Sequence, residues 1–276
     1  MLMQLSRKSK VLKRFCDIRI EQNRNVIILI DGDTGTGKTL GALRLALEFD
    51  SKFSKEFITQ DADNILKLFA KIGADRERYR GRVVIYEETQ EDMLKSSTTT
   101  IEAKAIIKLF SKFRFTNGIL IMTTPRSGHL NKYLMDYVDV HIHTEKIFYR
   151  RKVCRVKVKF GRWVESKARM FWEFMRVQYK DGEIFQLKYI DLLIPPQRII
   201  DYYEVLKDDF FIDSMKREGG RIDRKYNKKV LPAFPQHCNK CGYDWKSRTP
   251  KPMRCPRCQL AMPFEKKPTP PTMAKN

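Results

Sequence analysis

Residues 26–40 read VIILIDGDTGTGKTL, and in this stretch an apolar run leads directly into a glycine-rich turn. The apolar residues 26–30 predict a buried β-strand, and residues 40–49 (LGALRLALEF) predict a helix after the turn. The turn matches the pattern G-x-x-x-x-G-K-S/T with Gly32, Asp33, Thr34, Gly35, Thr36, Gly37, Lys38 and Thr39. This order of strand, turn and helix predicts a loop that wraps phosphate groups.

The residue types in the turn fit a nucleoside triphosphate and its magnesium ion. Glycines let backbone N–H groups point inward at phosphates, and the helix N-terminus adds its dipole. We expect Lys38 to reach the β- and γ-phosphates and the Thr39 hydroxyl to ligate Mg²⁺. The alternative is a glycine-rich turn that binds nothing. The complete motif between matching flanks favours ATP and Mg²⁺ as ligands.

A second apolar run ends in two carboxylates. Residues 83–88 read VVIYEE, so Glu87 and Glu88 follow the strand predicted at 83–86, at the edge where open α/β sheets bind ligands. Glu87 is the candidate for holding magnesium through water, and Glu88 is the candidate general base. The alternative is a strand that ends in two solvated acids. Together with the phosphate-binding loop, the pair favours hydrolysis of ATP to ADP and phosphate.

A fourth strand, predicted at 119–122, ends in two threonines and has an arginine on each side. Thr123 or Thr124 is placed to sense the γ-phosphate, although threonines at strand ends are also ordinary. Ring ATPases complete their site with an arginine from the next subunit. Arg114 and Arg126 are the candidates for that role, and a surface arginine is the alternative for each.

Strands and helices alternate through the first 145 residues, which predicts an α/β fold. We predict strands at 26–30, 56–59, 83–86, 119–122 and 137–142, and helices at 38–49, 61–72, 101–113 and near 129–135. Three of the strands are apolar on both faces, as in parallel sheets that helices cover on both sides. The prediction is a P-loop NTPase domain over 1–145 with a mainly parallel sheet flanked by helices and a basic N-terminal extension at 1–24.

The pattern changes after residue 145 and predicts an antiparallel β-hairpin appendage with a helix, over 146–220. Its predicted elements are a strand at 152–160, two strands at 169–179 and 183–190 around an Asp181-Gly182 turn, and a helix from 197 to about 217 that Gly219-Gly220 ends. A basic linker is expected at 221–236 and a disordered tail at 263–276.

Four cysteines in two C-x-x-C pairs predict a metal site in residues 237–262. They are Cys238, Cys241, Cys255 and Cys258. Two such pairs thirteen residues apart can place four thiolates around one tetrahedral Zn²⁺, and iron is the alternative. The stretch resembles a zinc ribbon of the kind common in archaeal and viral proteins. It is expected to bind nucleic acid, or else to dock a protein or serve structure alone.

The charge is strongly positive, with a formal net charge of +22. Residues 146–180 hold twelve basic and two acidic residues, which favours a polyanionic partner. Arg155, Lys157 and Lys159 share one face of the predicted strand and are the candidate contacts to DNA phosphates. A solvated strand face is the alternative for these charges, and an anionic membrane surface is the alternative partner.

Hydropathy predicts a soluble protein with no part in a bilayer. No apolar run approaches the roughly 18 residues that span a membrane, and no signal-peptide core follows the basic N-terminus. Nothing in the cysteine pattern indicates disulfides, which fits a reducing compartment. The expected location is the cytoplasm, or the host cytoplasm or virion if the source is viral.

The order of DGDTGTGKT, VVIYEE, a helix and FRFTNGILIMTTPR resembles the additional-strand P-loop ATPases. Within them it is most similar to the HerA–FtsK DNA-pumping motors and the Zot-type ATPases of filamentous phages. Lys112 and Arg114 match the basic position before the fourth strand, and Thr123-Thr124 match its end. The resemblance covers about residues 25–145. It implies a homo-oligomeric, hexameric ring of viral, plasmid or archaeal type that moves, packages or exports DNA.

Three functions stay open at this point. The first is an ATP-hydrolysing DNA motor. The second is an AAA+-like DNA-binding switch, such as a transposition or replication helper, which would not translocate. The third is a membrane-associated phage-assembly ATPase. DNA-stimulated turnover separates the first two from the third, and directional translocation separates the first from the second.

Overall fold

The computed structural model describes residues 7–87, 110, 113, 116–130, 132–167, 169–178, 182, 184–227, 234–247, 254–255 and 257–258. The helices are α1 (Arg7–Glu21), α2 (Lys38–Phe49), α3 (Ala62–Ala74), α4 (Arg76–Tyr79), α5 (Lys132–Met135) and α6 (Gln197–Asn227). The strands are β1 (Val26–Asp31), β2 (Ile58–Thr59), β3 (Val83–Tyr86), β4 (Ile119–Thr124), β5 (Val140–Phe148), β6 (Val153–Val164), β7 (Arg169–Glu173), β8 (Met175–Gln178), β9 (Ile184–Leu187), β10 (Tyr189–Leu193), β11 (Phe234–His237) and β12 (Asp244–Ser247). The chain divides into two compact units, Met1–Leu206 and Lys207–Asn276.

The first unit is built on an eight-stranded sheet in the order β10-β6-β5-β1-β4-β3-β2, with β7 also paired to β6. The strands from β5 through β2 are parallel to one another, whereas β6, β7 and β10 are added by antiparallel pairing. Every residue of β1, β3 and β4 is buried, as expected for strands covered on both faces. The α/β prediction with a mainly parallel sheet flanked by helices is therefore confirmed.

Helices cover both faces of this sheet. On one face, apolar residues of α3 such as Ile65 and Phe69 pack with alternate strand residues such as Leu29 and Met122. On the other face lie α1 and α2, both in contact with β1 and β10. The stretch predicted as a basic N-terminal extension thus contains α1, which is part of the unit, and buried Leu12 of α1 joins the core.

The appendage predicted after residue 145 continues the main sheet. The expected boundary falls inside β5, which begins three residues later than predicted and runs to Phe148. β6 pairs with β5 along most of its length because its buried valines match the apolar side of β5. β8 and β9 form the predicted hairpin as a separate two-stranded sheet, and Gly182 in its turn has a positive φ of 88°.

The second unit holds the part of α6 from Lys207 onward and a small antiparallel pair, β11 and β12. The predicted helix end at Gly219-Gly220 is wrong, since α6 continues through both glycines to Asn227. A glycine inside a helix costs only about 1 kcal/mol, and the surrounding lysine, arginine and glutamate are good helix formers. The linker predicted at 221–236 therefore starts within α6, which ends at Asn227, and finishes within β11, which begins at Phe234. The predicted helix at 101–113 and the tail at 263–276 lie largely or wholly outside the described residues.

None of the helices that the structure describes combines the length and the hydropathy needed to cross a membrane.

Candidate functional site

The glycine-rich turn forms a loop between β1 and α2 with the backbone geometry of a P-loop. Gly32, Gly35 and Gly37 have φ values of 146°, 80° and 96°, a region that L side chains rarely adopt. Helix α2 begins at once, with the N–H of Gly41 donating to the carbonyl of Gly37 at 2.8 Å. The loop therefore ends at a helix N-terminus, which favours an anion.

The lysine of the motif, Lys38, lies against the loop itself. Nζ of Lys38 donates to the carbonyl oxygens of Gly32 at 2.9 Å and Asp33 at 3.0 Å. The Thr36 hydroxyl shares a 2.7 Å hydrogen bond with the hydroxyl of Thr144 on β5. The lysine thus bridges the loop internally, and the threonine pair joins the loop to the sheet. Thr34 and Gly35, at its tip, are exposed or partly exposed.

Cys154 of β6 lies against the loop, at a position that no local sequence pattern marks. Sγ of Cys154 is 3.3 Å from the carbonyl oxygen of Thr36, and burial raises the pKa of this thiol to about 11. A Cβ added to Gly37 would lie 2.9 Å from that sulfur and 3.0 Å from Ile147. Gly37, the third glycine of the motif, is therefore required for two reasons. Cys154 and Ile147 approach its Cα closely, and its φ is positive.

The residue before the loop anchors a cluster that sequence reasoning missed. Asp31 is buried at the end of β1, with Oδ1 2.8 Å from Nδ1 of His143 and Oδ2 3.1 Å from Nε2 of His141. The N–H of Ser127 donates to Oδ2 at 3.3 Å. Burial alone would raise the pKa of Asp31, but the contacts with His141, Ser127 and His143 hold it well below its usual range. Asp31 is thus an anion at neutral pH.

The sheet order brings the acidic strand and the threonine strand to the loop. β4 lies between β1 and β3, and its Thr123 pairs with Ile30 in the P-loop strand. Because Tyr86 pairs with Met122, the next residue Glu87 lies beside Thr123, on the sheet face opposite the α3 core. Thr124 instead pairs with Asp31 and shares the face of Met122. Thr123 is therefore the better placed of the two candidate sensors.

Glu87 is almost fully buried and is held by two side chains from distant parts of the chain. The hydroxyl of Tyr203, in the first half of α6, donates to Oε2 of Glu87. The amide of Gln60 lies 3.5 Å from the same oxygen. Sequence reasoning missed Tyr203 because it is 116 residues away and no local pattern marks it. The candidate magnesium residue is thus contacted by a helix beyond the predicted ATPase domain.

The structure describes two of the remaining predicted site residues and leaves two others undescribed. Thr39 is the second residue of α2, and Arg126 is exposed just after β4. Both positions are compatible with the predicted roles. Glu88 and Arg114 lie outside the described residues, so their roles stay predictions.

The basic strand β6 has the two-faced character expected from its sequence. Val156 and Val158 are buried, whereas Lys157 and Lys159 are partly exposed. Nζ atoms of Lys157, Lys159 and Lys188 lie 5.8, 5.9 and 5.7 Å from the ring centroid of Phe174. We call these three lysines and Phe174 the lysine surface.

The predicted DNA contacts on β6 differ in their ion pairing. Arg155 makes a two-pronged ion pair with Asp191 at 2.8 and 3.0 Å, which engages its guanidinium within the protein. Within the described part of the chain, no carboxylate forms an ion pair with Lys157, Lys159 or Lys188. Among the described residues, these lysines therefore carry charges that no ion pair offsets, whereas Asp191 offsets the charge of Arg155.

The four predicted zinc ligands come together in the second unit. Sγ atoms of Cys238 and Cys258 are 3.7 Å apart, those of Cys241 and Cys255 are also 3.7 Å apart, and all four lie within 4.8 Å of one another. Tetrahedral zinc with Zn–S bonds of about 2.3 Å places its sulfurs about 3.8 Å apart. None of the four forms a disulfide. The cluster therefore has the size and ligand type that a zinc ion requires.

One of these thiols is already favoured as the thiolate. Hydrogen bonds from the backbone N–H groups of Cys241 and Lys240 lower the pKa of Cys238, whereas, despite a hydrogen bond from the backbone of Tyr243, burial and the neighbouring sulfurs raise the pKa of Cys241. A metal ligand must bind as thiolate, so Cys238 is the sulfur more ready to bind a metal, and binding would displace the proton of Cys241.

No protein-family model matches this chain, and no curated protein matches it. Among solved structures, the N-terminal domain of zonular occludens toxin from Neisseria meningitidis matches 57% of this chain and 96% of its own, at 16% identity and a TM-score of 0.35. The genome packaging NTPase B204 from Sulfolobus turreted icosahedral virus 2 matches 54% of this chain and 96% of its own, at 13% identity and a TM-score of 0.34. PCH-2 from C. elegans matches 50% of this chain and 42% of its own, at 19% identity and a TM-score of 0.36. Likenesses this weak assign neither an activity nor a partner to this chain.

Proposed function

We propose that this chain is an ATPase that moves DNA, with the first unit as its engine. One observation supports the ATPase part: β4, which carries Thr123, lies between the P-loop strand β1 and β3, and Glu87 directly follows β3. A P-loop binds the phosphates, and hydrolysis further requires an acid for the magnesium shell and a base for water. Glu87 is proposed for the first of these roles and Glu88 for the second.

DNA is the proposed partner because the lysine surface has no described carboxylate to neutralise it. Lysines act on phosphates as point charges without reading bases, which suits a protein that tracks along a duplex. Phe174 gives this surface an aromatic ring among the charges. An anionic membrane would meet the same charges, and it is kept as an outcome of the test below.

A ring of identical subunits is part of the proposal. Arg126 is exposed and lies two residues after β4, the strand that carries Thr123. An arginine in that position can reach a nucleotide held by a neighbouring subunit and stabilise the charge of the transition state. Arg114 is the second candidate. A DNA-binding switch that does not translocate remains the alternative function.

The test is ATP turnover with and without duplex DNA. We expect DNA to raise the turnover of the wild-type protein. Lys38→Ala and Glu88→Gln should each lower it by about a hundredfold or more, because each removes charge stabilisation or the general base. Lys67→Ala is the matched control, since Lys67 is exposed on α3, and it should behave as the wild type.

The outcomes separate the candidate functions. No turnover under any condition would contradict the ATPase proposal. Turnover that anionic vesicles stimulate and DNA does not would favour the membrane-associated ATPase. Turnover that DNA stimulates without displacement of a DNA-bound roadblock would favour the switch over the motor.

A further inference from the structure

The lysine surface lies directly beside the cluster that holds Asp31. In the antiparallel pairing of β5 with β6, His143 is opposite Lys157 and His141 is opposite Lys159. Opposed residues of an antiparallel pair share one sheet face, with Cβ atoms about 4.5–5.5 Å apart. The two histidines therefore lie between the lysines on β6 and the carboxylate on β1.

His143 is the member of this cluster that solvent reaches. Its side chain is 51% exposed, against 18% for His141 and 9% for Asp31. One ring nitrogen, Nδ1, is 2.8 Å from Asp31. The ring is exposed enough for its second nitrogen, Nε2, to take a further partner. An imidazolium donates from both nitrogens, so it can join the buried carboxylate to an anion outside.

We propose that His143 is a phosphate contact of the lysine surface, which links DNA binding there to Asp31 at the start of the P-loop. This inference rests on the proposed DNA-binding function. A phosphate oxygen beside Lys157 gives Nε2–H of His143 an acceptor, and its negative charge stabilises the imidazolium. The protonated ring in turn strengthens its ion pair with Asp31, next to Gly32.

The charges around His143 give this link its direction. The charged groups that face His143 are Asp31 on β1, Lys157 and Lys159 on β6, and Glu145 two residues later on β5. A phosphate held between these lysines and Nε2 adds negative charge beside the ring, which favours the imidazolium in the complex. DNA binding should therefore take up protons, and the site should bind DNA more tightly as the pH falls.

The experiment is calorimetric titration of the full chain with a short DNA duplex, at neutral pH, in buffers with different heats of ionisation. The wild type should show proton uptake. His143→Asn can still donate to Asp31 but cannot be protonated, so it should lose that uptake and bind DNA about two- to fivefold more weakly. His143→Lys keeps a permanent positive charge, so it should keep the affinity and lose the uptake.

A second pair of substitutions separates failure of the inference from failure of the DNA surface. Lys157→Gln with Lys159→Gln should weaken binding and reduce its salt dependence by about two phosphate contacts. If that double variant binds DNA as the wild type does, the DNA surface is wrong. If it weakens binding while His143→Asn keeps the wild-type affinity and proton uptake, the surface stands and the role of His143 is overturned.

Discussion

Gly37 is constrained twice, by its backbone and by what lies beside it. Its φ of 96° is strained for any residue with a Cβ, and a Cβ would crowd Cys154 and Ile147. We expect Gly37→Ala to lower the free energy of unfolding by about 1–3 kcal/mol and to weaken nucleotide binding, because the loop must shift to relieve the crowding. Urea unfolding and titration with a fluorescent ATP analogue measure the two effects.

Gly73→Ala is the matched control for that change. Gly73 lies inside α3, has no atom within 4 Å of an added Cβ, and does not have a positive φ. Alanine is the better helix former, so this variant should gain up to about 1 kcal/mol and bind nucleotide normally. Equal stability and nucleotide affinity in Gly37→Ala and the wild type would show that the loop is not held as described.

At the scale of elements, a hydroxyl of α6 joins that helix to the residue that follows β3. Tyr203 is 4% exposed and donates to the buried carboxylate of Glu87. Tyr203→Phe keeps the ring and removes the hydroxyl donor. The buried carboxylate of Glu87 then loses one of the hydrogen bonds that offset its desolvation. We expect the free energy of unfolding to fall by about 1–3 kcal/mol, as measured in urea.

Tyr202→Phe gives that prediction its control. Tyr202 is the preceding residue, is 38% exposed, and has Nζ of Lys55 over its ring at 5.4 Å. Phenylalanine keeps a ring for that lysine, so this variant should unfold within about 0.5 kcal/mol of the wild type. A Tyr203→Phe protein as stable as Tyr202→Phe would rule out a stabilising bond to Glu87.

The elements that could be predicted from the sequence are those with local signals. β1, the P-loop and α2 follow from one motif, and β3 and β4 follow from continuous apolar runs. The end of α6 could not be predicted, because the cost of Gly219-Gly220 is smaller than the helix preference of the residues around them. Both β5 and β6 alternate buried residues with partly or fully exposed ones. Such a pattern predicts a strand but does not specify which other strand it pairs with, so the pairing of β6 with β5 could not be predicted.

The same distinction applies to the site. Lys38, Thr39 and Glu87 could be singled out from spacing alone, because the proposed ATP chemistry requires those residue types in that order. Tyr203 and Cys154 are ordinary core residues in the sequence. Only the folded chain shows that the first contacts Glu87 and the second lies under Thr36. His143 likewise becomes notable only through its neighbours Asp31 and Lys157.

At the scale of the whole molecule, the second unit is expected to depend on its metal. The described strands β11 and β12 are four residues each, so they can bury little apolar surface. Of the four cysteines in the cluster, Cys238 and Cys255 are buried. In such small folds the free energy of metal binding is in large part the free energy of folding. Removing the metal should therefore unfold this region and not merely leave its metal site vacant.

We predict about one zinc ion per chain, measured by elemental mass spectrometry on the purified protein. Cys255→Ser should lose that zinc, and a strong chelator should expose residues 234–258 of the wild type to protease. Cys16→Ala is the control, because Cys16 is buried in the first unit and should leave the zinc in place. A metal-free protein that resists protease over 234–258 would mean that the four sulfurs are held at 3.7 Å spacings by packing alone. Because the sulfurs already have the spacing of tetrahedral zinc ligands, the bound ion is the expected result.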